Sequence, residues 1–301
     1  MIENLRPDMM SSKKILARHG KSFYWASLFL GPKLAERAAQ LYQFCRFVDD
    51  LADGDLSERK ESLEDIRARL EGHSVAAGPE IESFLQLASE NNIPLIAARE
   101  LLDGMLSDQT AVAFNSEAEL LRYCHAVAGT VGLMMCRVLN CKDQRADSFA
   151  IDLGIAMQLT NIARDVLEDA KMERRYLPAS WINVPASKIS ASNVACRAPV
   201  ASAIERVLDL AEEYYASALV GIRLLPFRSR FSISVALRIY RQIGVLLQRR
   251  HLRWWDGRIY VPASEKVLLT LRSLLDLRPA TMLSHNQHLH RDLKGLAGVV
   301  S

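Results

Sequence analysis

The 301-residue chain has no Cys-x-x-Cys pair, and its five cysteines are an odd number. That pattern argues against a disulfide scaffold or a zinc site and fits a reducing compartment. Glycine (14) and proline (10) are sparse, and long stretches carry neither. So few breakers exclude a fold of many short strands joined by turns and favour helices. No run reaches the roughly 18 uncharged apolar residues of a membrane span, because Arg, Lys or Asp interrupts every greasy stretch. Residues 1–14 are polar and lack the apolar centre of a signal peptide, so the expected location is cytoplasmic. A net charge of +3 with a pI near 8.6 is too mild to imply nucleic-acid binding. There is no Gly-rich dinucleotide-binding turn, no repeat of fixed period and no composition shift that would mark a linker.

What the chain has is helical periodicity and enough apolar residues, half of the total, for a sizeable core. Helices are expected over about 13–30, from Pro32 through the first acidic motif, and over 57–70, 81–89 and 94–106. Ser116-x-x-Glu119 is a capping box opening a long apolar helix to about Leu139. Further helices are expected over 147–169, 201–225, 232–250 and 264–275, with 178–199 irregular and the tail after Pro279 frayed. The expectation is one all-α domain of about ten helices around a central cavity.

Two acidic motifs stand out, Asp49-Asp50-Leu51-Ala52-Asp53 and Asp165-Val166-Leu167-Glu168-Asp169. On a helix, residues i and i+4 stack on one face with Cβ atoms roughly 5–6 Å apart. Each motif therefore pairs like charges near a helix C-terminus, where the macrodipole is also negative. Two such unfavourable choices of the same kind suggest a cation between them, and all-oxygen ligands suit Mg²⁺ completed by substrate phosphates. Gln158, Asn161, Asp165 and Asp169 form one polar stripe. Asn161 and Asp165, one turn apart, make sensible metal ligands beside Gln158, although such a stripe is also compatible with a solvated surface. Arg46 is either a local ion pair for Asp49 or a diphosphate ligand. Lys171, Arg174 and Arg175 suit either the helix dipole or a leaving diphosphate. Gly129 and Gly132 mark close helix packing or room for a long apolar substrate; Tyr123 and Tyr240 are core residues or cavity lining. His285, His288 and His290 lack the spacing of a helical metal pair. The arginine-rich C-terminal third, with Trp254, Trp255 and Tyr260, offers a membrane-surface patch.

Five segments in this order resemble the squalene/phytoene synthase family. They are His19-Gly20-Lys21-Ser22-Phe23, Cys45 to Asp53, Tyr123 to Gly132, Gln158 through Asp169 to Pro178, and Tyr240 to Gly244 followed by Arg258 to Pro262. Two positions depart from the family's wording: Leu167 and Glu173 stand where glycine is expected. Within the family the wording is most like the bacterial phytoene synthases.

The resemblance implies an isoprenoid-synthase-type helical bundle and a prenyl transferase. Its reaction would join two geranylgeranyl diphosphates head to head, through prephytoene diphosphate, to 15-cis-phytoene in carotenoid biosynthesis. It implies Mg²⁺ or Mn²⁺ held by Asp49, Asp53, Asn161, Asp165 and Asp169, and no NADPH. Arg46 and Tyr123 join the four aspartates as catalytic residues. His19, Lys21, Ser22, Phe23, Arg46, Gln158, Asn161, Arg164, Arg174, Tyr176, Tyr240 and Arg258 are the implied substrate and diphosphate contacts. The small residues Ala126, Gly129, Gly132, Ala156 and Ala163 are expected to give the cavity its depth. A protein with an insoluble product and no span is expected to sit peripherally on the inner face of the membrane, without nucleic-acid partners. The alternatives are a squalene or dehydrosqualene synthase acting on farnesyl diphosphate, and a non-catalytic membrane-associated assembly factor.

Overall fold

A computed structural model describes residues 8–53, 56–74, 78–107, 112–277 and 283–300, with the side chains of 8–11 and 53–61 left out. Among the described residues twelve α-helices follow one another: α1 (Asp8–His19), α2 (Lys21–Ser27), α3 (Pro32–Asp53), α4 (Leu56–Leu70), α5 (Pro79–Asn91), α6 (Leu95–Ser107), α7 (Glu117–Cys124), α8 (Thr130–Val138), α9 (Ala146–Lys171), α10 (Arg197–Gly221), α11 (Phe227–Arg249) and α12 (Ala263–Arg272). Among the described residues there is no strand, only an isolated bridge between Ala113 and Arg175. No described helix is long and apolar enough to cross a membrane. The expected all-α bundle is the observed one.

The helix signals act where they stand. Gly31 takes φ 79° and ends the first helical pair, and Pro32 opens α3. The Ser116 hydroxyl accepts from the Glu119 amide at 3.3 Å. Glu119 returns its carboxylate to the Asn115 amide at 2.9 Å, one residue earlier than a standard capping box. The expected helix 116–139 is interrupted by a π-turn, His125–Gly129. Such a turn inserts one residue into the helical ladder and shifts the side chains that follow. It buries His125, whose ring nitrogen meets the Ala297 carbonyl at 3.0 Å.

The central helix α9 crosses α8 and the π-turn at two glycines. A Cβ on Gly132 would sit 2.1 Å from the Ala150 carbonyl oxygen, and one on Gly154 would sit 2.1 Å from the Ala128 carbonyl oxygen. Both neighbours are backbone, which cannot rotate aside as a side chain can. Gly132 is therefore a packing residue first, and replacing it to fill the cavity would break the helix crossing.

The C-terminal segment differs most from expectation. Residues 283–300 are not frayed but fold back along α7, α9 and α10. Leu293 is fully buried, and the Tyr214 hydroxyl donates to the Leu289 carbonyl at 2.8 Å. The anchor is Asp152, itself fully buried. Its carboxylate accepts from His290 Nε2 at 2.7 Å, His285 Nε2 at 2.8 Å and Ser217 Oγ at 2.5 Å. Burial pushes the Asp152 carboxyl up, but the hydrogen bonds from His285 and His290 outweigh it and hold the group below its ordinary value. One ligand atom each from Asp152, His285 and His290 lie within 4.8 Å of one another, close enough for an ion. As they stand, they satisfy each other's hydrogen bonding in the core.

The glycine crossing yields a direct test. Gly154→Ala should destabilise the protein by at least about 1–3 kcal/mol, the usual cost of overpacking, read as a lower midpoint in urea. An unchanged midpoint would mean that the π-turn and α9 do not meet at this residue.

Candidate active site

One cavity of about 360 Å³ runs between α3, α8, α9, α10 and α11. Along α9 its wall is a continuous stripe, Ala146, Phe149, Ala150, Leu153, Gly154, Met157, Gln158 and Asn161. At 1.5 Å per residue that stripe is about 22 Å long. Its far end is wholly apolar: Cys136, Ala146, Leu225 and Ile233 pack there as one cluster. Polar groups gather at the other end, where Arg46 and Asp49 from α3 face the same space as Gln158 and Asn161 from α9.

Each polar group at that end has a definable role. Arg46 donates to Asp49 at 2.9 Å and to Asp50 at 2.5 Å, both on its own helix. Its Nε is buried without an acceptor. Asn161 donates to Gln158 Oε1 at 3.3 Å, and Asn161 Oδ1 is a buried acceptor without a donor. An orphaned acceptor costs free energy unless a ligand or ion satisfies it. Asp165, one turn on, is gripped by Arg164 Nε at 2.7 Å and by Arg258 at 3.0 Å. Phe23 packs against Tyr240 with ring centroids 4.9 Å apart and planes tilted by 31°, and both rings line the cavity. Burial, together with Tyr240 and Asp49 nearby, pushes the Tyr42 phenol up to about 12, so it stays protonated. Burial also raises the Tyr240 phenol, with Arg164 pulling the other way.

The second motif ends in a defined helix stop. The Arg174 amide donates to the Asp169 carbonyl at 3.0 Å and the Glu173 amide to the Ala170 carbonyl at 3.1 Å. This is the Schellman pattern, with Glu173 at the left-handed position, φ 61°. Glycine is the cheap residue there, which explains why glycine is expected at 173. The pattern sets Asp169 and Arg174 side by side in one small cleft with Arg175 and Tyr176.

The structure thus brings Arg46, Asp49, Gln158, Asn161, Phe23 and Tyr240 together, with Asp165, Arg164 and Arg258 linked by ion pairs beside them. Asp53 lies outside the residues whose side chains are described. His19 and Lys21 are exposed at the α1–α2 junction, and Ser22 is half-buried. Tyr123 and Tyr176 do not line the main cavity. They stack on each other at 5.1 Å, and Tyr123 faces a separate cleft with Glu100, Arg122 and Leu296. Of the expected depth residues, Gly132 lines the cavity, Gly129, Ala156 and Ala163 are buried outside the lining, and Ala126 belongs to the Tyr123 cleft. Depth comes instead from Ala146, Ala150, Ala218 and Ala236. These were missed because all four lie outside the family segments, Ala146 and Ala150 before the polar stripe of α9, Ala218 on α10 and Ala236 before Tyr240 on α11; only small residues at helical spacing hinted at them. Trp254 is no membrane contact either: it is buried, with its indole N–H donating to the Arg197 carbonyl at 3.3 Å. Trp255 lies beneath the Arg197 guanidinium at 4.5 Å.

Residues 16–265 match the family model for squalene/phytoene synthase. A 15-cis-phytoene synthase of Paracoccus sp. is 36% identical over 275 residues, 86% of this chain and 88% of that protein. A phytoene synthase of Pseudescherichia vulneris is 34% identical, covering 88% of this chain and 90% of its own. Among solved structures, a dehydrosqualene synthase in complex with ligand superposes with a TM-score of 0.77 at 25% identity, over 90% of this chain and 96% of that one. A squalene synthase from Alicyclobacillus acidocaldarius shares the fold at TM-score 0.71 and 21% identity, covering 84% and 96% of the two chains. With a long apolar cavity closed at one end by carboxylate, amide and guanidinium groups, and with these relatives along most of its length, this chain belongs to the squalene/phytoene synthase family.

Proposed function

We propose that the protein is a 15-cis-phytoene synthase, a prenyl transferase that condenses two geranylgeranyl diphosphates head to head in carotenoid biosynthesis. The observation that carries this reading is the cavity itself: an apolar wall about 22 Å long ending at Arg46, Asp49, Gln158 and Asn161. A prenyl diphosphate has the same division, a long hydrocarbon with all its charge at one end. The 36% identical relative along most of the chain selects the phytoene branch.

Oxygen donors fit a divalent ion here. Asn161 Oδ1 is buried and unsatisfied, and it shares the cavity end with Asp49, one turn from Asp165. Asp49, Asn161, Asp165, and Asp53 and Asp169 from the motif ends would hold Mg²⁺ or Mn²⁺, which supplies positive charge to a departing diphosphate. Arg46, Arg164, Arg258 and Arg174 would bind the diphosphate oxygens through charge-assisted hydrogen bonds. Loss of diphosphate from the donor leaves an allylic cation, which the acceptor's double bond attacks; the resulting tertiary cation loses a proton as the cyclopropane closes. A second loss of diphosphate, rearrangement of the cation and loss of a further proton give phytoene. Aromatic faces at Phe23, Tyr42 and Tyr240 would shield the cations, and the apolar wall keeps water away from them. No step transfers a hydride, so no reduced nicotinamide is required.

The exposed apolar face lies on α12 and the turn after it. Leu268, Leu271, Leu274 and Leu275 all face solvent, with Lys266 and Arg272 among them. The opposite side of α12 and its turn packs on the outside of α11, tied by Arg238 to Asp276 at 2.6 Å, so a bilayer touching the exposed face would lie beside the cavity wall. A lipid surface is its proposed occupant, because the product is a hydrocarbon and the flanking charges are cationic.

Three outcomes follow. Purified protein given geranylgeranyl diphosphate and Mg²⁺ should make phytoene without NADPH, and Asp49→Asn should cut turnover by about a hundredfold with the circular dichroism unchanged. Hydrocarbon formed only from farnesyl diphosphate with NADPH would favour the squalene-type reading, and no product from either would favour an assembly factor. Ala146→Phe, at the apolar end of the cavity, should lower turnover of geranylgeranyl diphosphate more than of farnesyl diphosphate; equal losses would refute its role in chain length. Replacing Leu271 and Leu274 together with Ser should weaken co-sedimentation with anionic liposomes, and undiminished binding would remove α12 as the membrane face.

A further inference from the structure

The last residues of α8 form the same helix stop seen after Asp169. The Cys141 amide donates to the Cys136 carbonyl at 3.0 Å, and the Asn140 amide to the Arg137 carbonyl at 3.0 Å. Asn140 takes the left-handed φ of 57°. In this pattern the side chains two residues beyond the cap and three before it come into contact, usually as an apolar pair. Here both positions are cysteine. The two side chains share a small buried cluster with Ala146 and Leu225. There the Cys136 thiol meets the Ala146 carbonyl at 3.9 Å, and the Cys141 thiol meets the Asp143 and Leu224 carbonyls at 3.8 Å. Cys136 also lines the closed apolar end of the main cavity.

We propose that Cys136 and Cys141 are an oxidative modification site, a dithiol that a hydroperoxide converts to a disulfide at the closed end of the cavity. Contact is imposed by the backbone of the helix stop, so no large movement is needed to bring the sulfurs together. A peroxide is small enough to reach the closed end of the cavity, where Cys136, Ala146 and Leu225 form the lining and Cys141 packs against them in the same cluster. The Cys141 sulfur attacks the peroxide, whose O–O bond breaks, and becomes a sulfenic acid as one water forms. The Cys136 sulfur then attacks the sulfenic sulfur. The S–S bond forms, hydroxide leaves and takes the Cys136 proton as a second water. Two thiols are oxidised and one peroxide is reduced. The adjacent Cys136 thiol holds the Cys141 thiol below its ordinary value against the effect of burial, which favours the thiolate as first nucleophile. By contrast, burial pushes Cys45, which also lines the cavity, up to about 12. On the reading of this cavity as the prenyl-chain site, the disulfide ties the end of α8 to the following turn and stiffens the wall that must accept the chain's end.

The test treats native protein with hydrogen peroxide, blocks the remaining thiols with N-ethylmaleimide after denaturation, and digests with trypsin. Cleavage after Arg137 separates Cys136 from Cys141. A disulfide therefore leaves two peptides joined, and fragmentation distinguishes Cys136 from Cys124 on the longer one. The expected result is a Cys136–Cys141 cross-link that dithiothreitol reverses, with a parallel, reversible several-fold loss of condensation rate. Cys141→Ser should keep the untreated rate and lose the response to peroxide. Maleimide on both cysteines after peroxide treatment, or a cross-link through Cys124, would overturn the site; a Cys136–Cys141 cross-link with an unchanged rate would overturn its effect on the cavity. The peptide readout needs no substrate, so it decides the modification even if the chain condenses no prenyl diphosphate.

Discussion

The backbone-to-backbone crossing of α9 with α8 and the π-turn governs the rest of the architecture. Ala150 against Gly132 and Ala128 against Gly154 leave no room for a Cβ. That contact fixes the rotation of α9 about its own axis. Once it is set, Ala146, Phe149, Leu153, Met157, Gln158 and Asn161 all point into one space. A helix turned by one residue, about 100°, would carry the polar stripe away from Arg46 and Asp49. The glycines cost helix propensity, and what they secure is the alignment of wall and polar end on a single helix.

The cavity divides its chemistry by position. Along most of its length the lining is alanine, leucine, methionine, phenylalanine and glycine, which offer neither nucleophile nor water. At one end a carboxylate, two amides and a guanidinium converge, some with buried polar atoms that no protein group satisfies. Unsatisfied groups in an otherwise well-paired core are a strain that binding of a charged ligand relieves. Asp165 illustrates the same economy. Held between Arg164 and Arg258, it keeps its charge paired while remaining near the site.

Two helix stops of one type appear at functionally different places. After α9 the pattern joins Asp169 to Arg174, an acid and a base from the motif region. After α8 it joins Cys136 to Cys141. In both, a local backbone arrangement spanning six residues decides which side chains meet, independently of the wider packing. The C-terminal segment is the opposite case. It is held by groups far away in sequence, Asp152 and Tyr214 above all, and nothing within residues 283–300 announces that it will dock.

The sequence by itself determined the helical class, the break at Gly31–Pro32, the cap at Ser116 and the polar stripe from Gln158 to Asp169, because each depends on spacing within one helix or one turn. It also carried the family wording, from which the acidic motifs and their partners were legible. Only the tertiary structure decided which small residues shape the cavity, that Tyr123 and Tyr176 face another cleft, that Trp254 is buried, and that the histidines of the tail close on Asp152. Those outcomes depend on contacts between helices distant in the chain. Periodicity says which face of a helix is apolar, but not which neighbour, cavity or solvent it meets; that is settled when the backbones approach as closely as Gly132 and Gly154 allow.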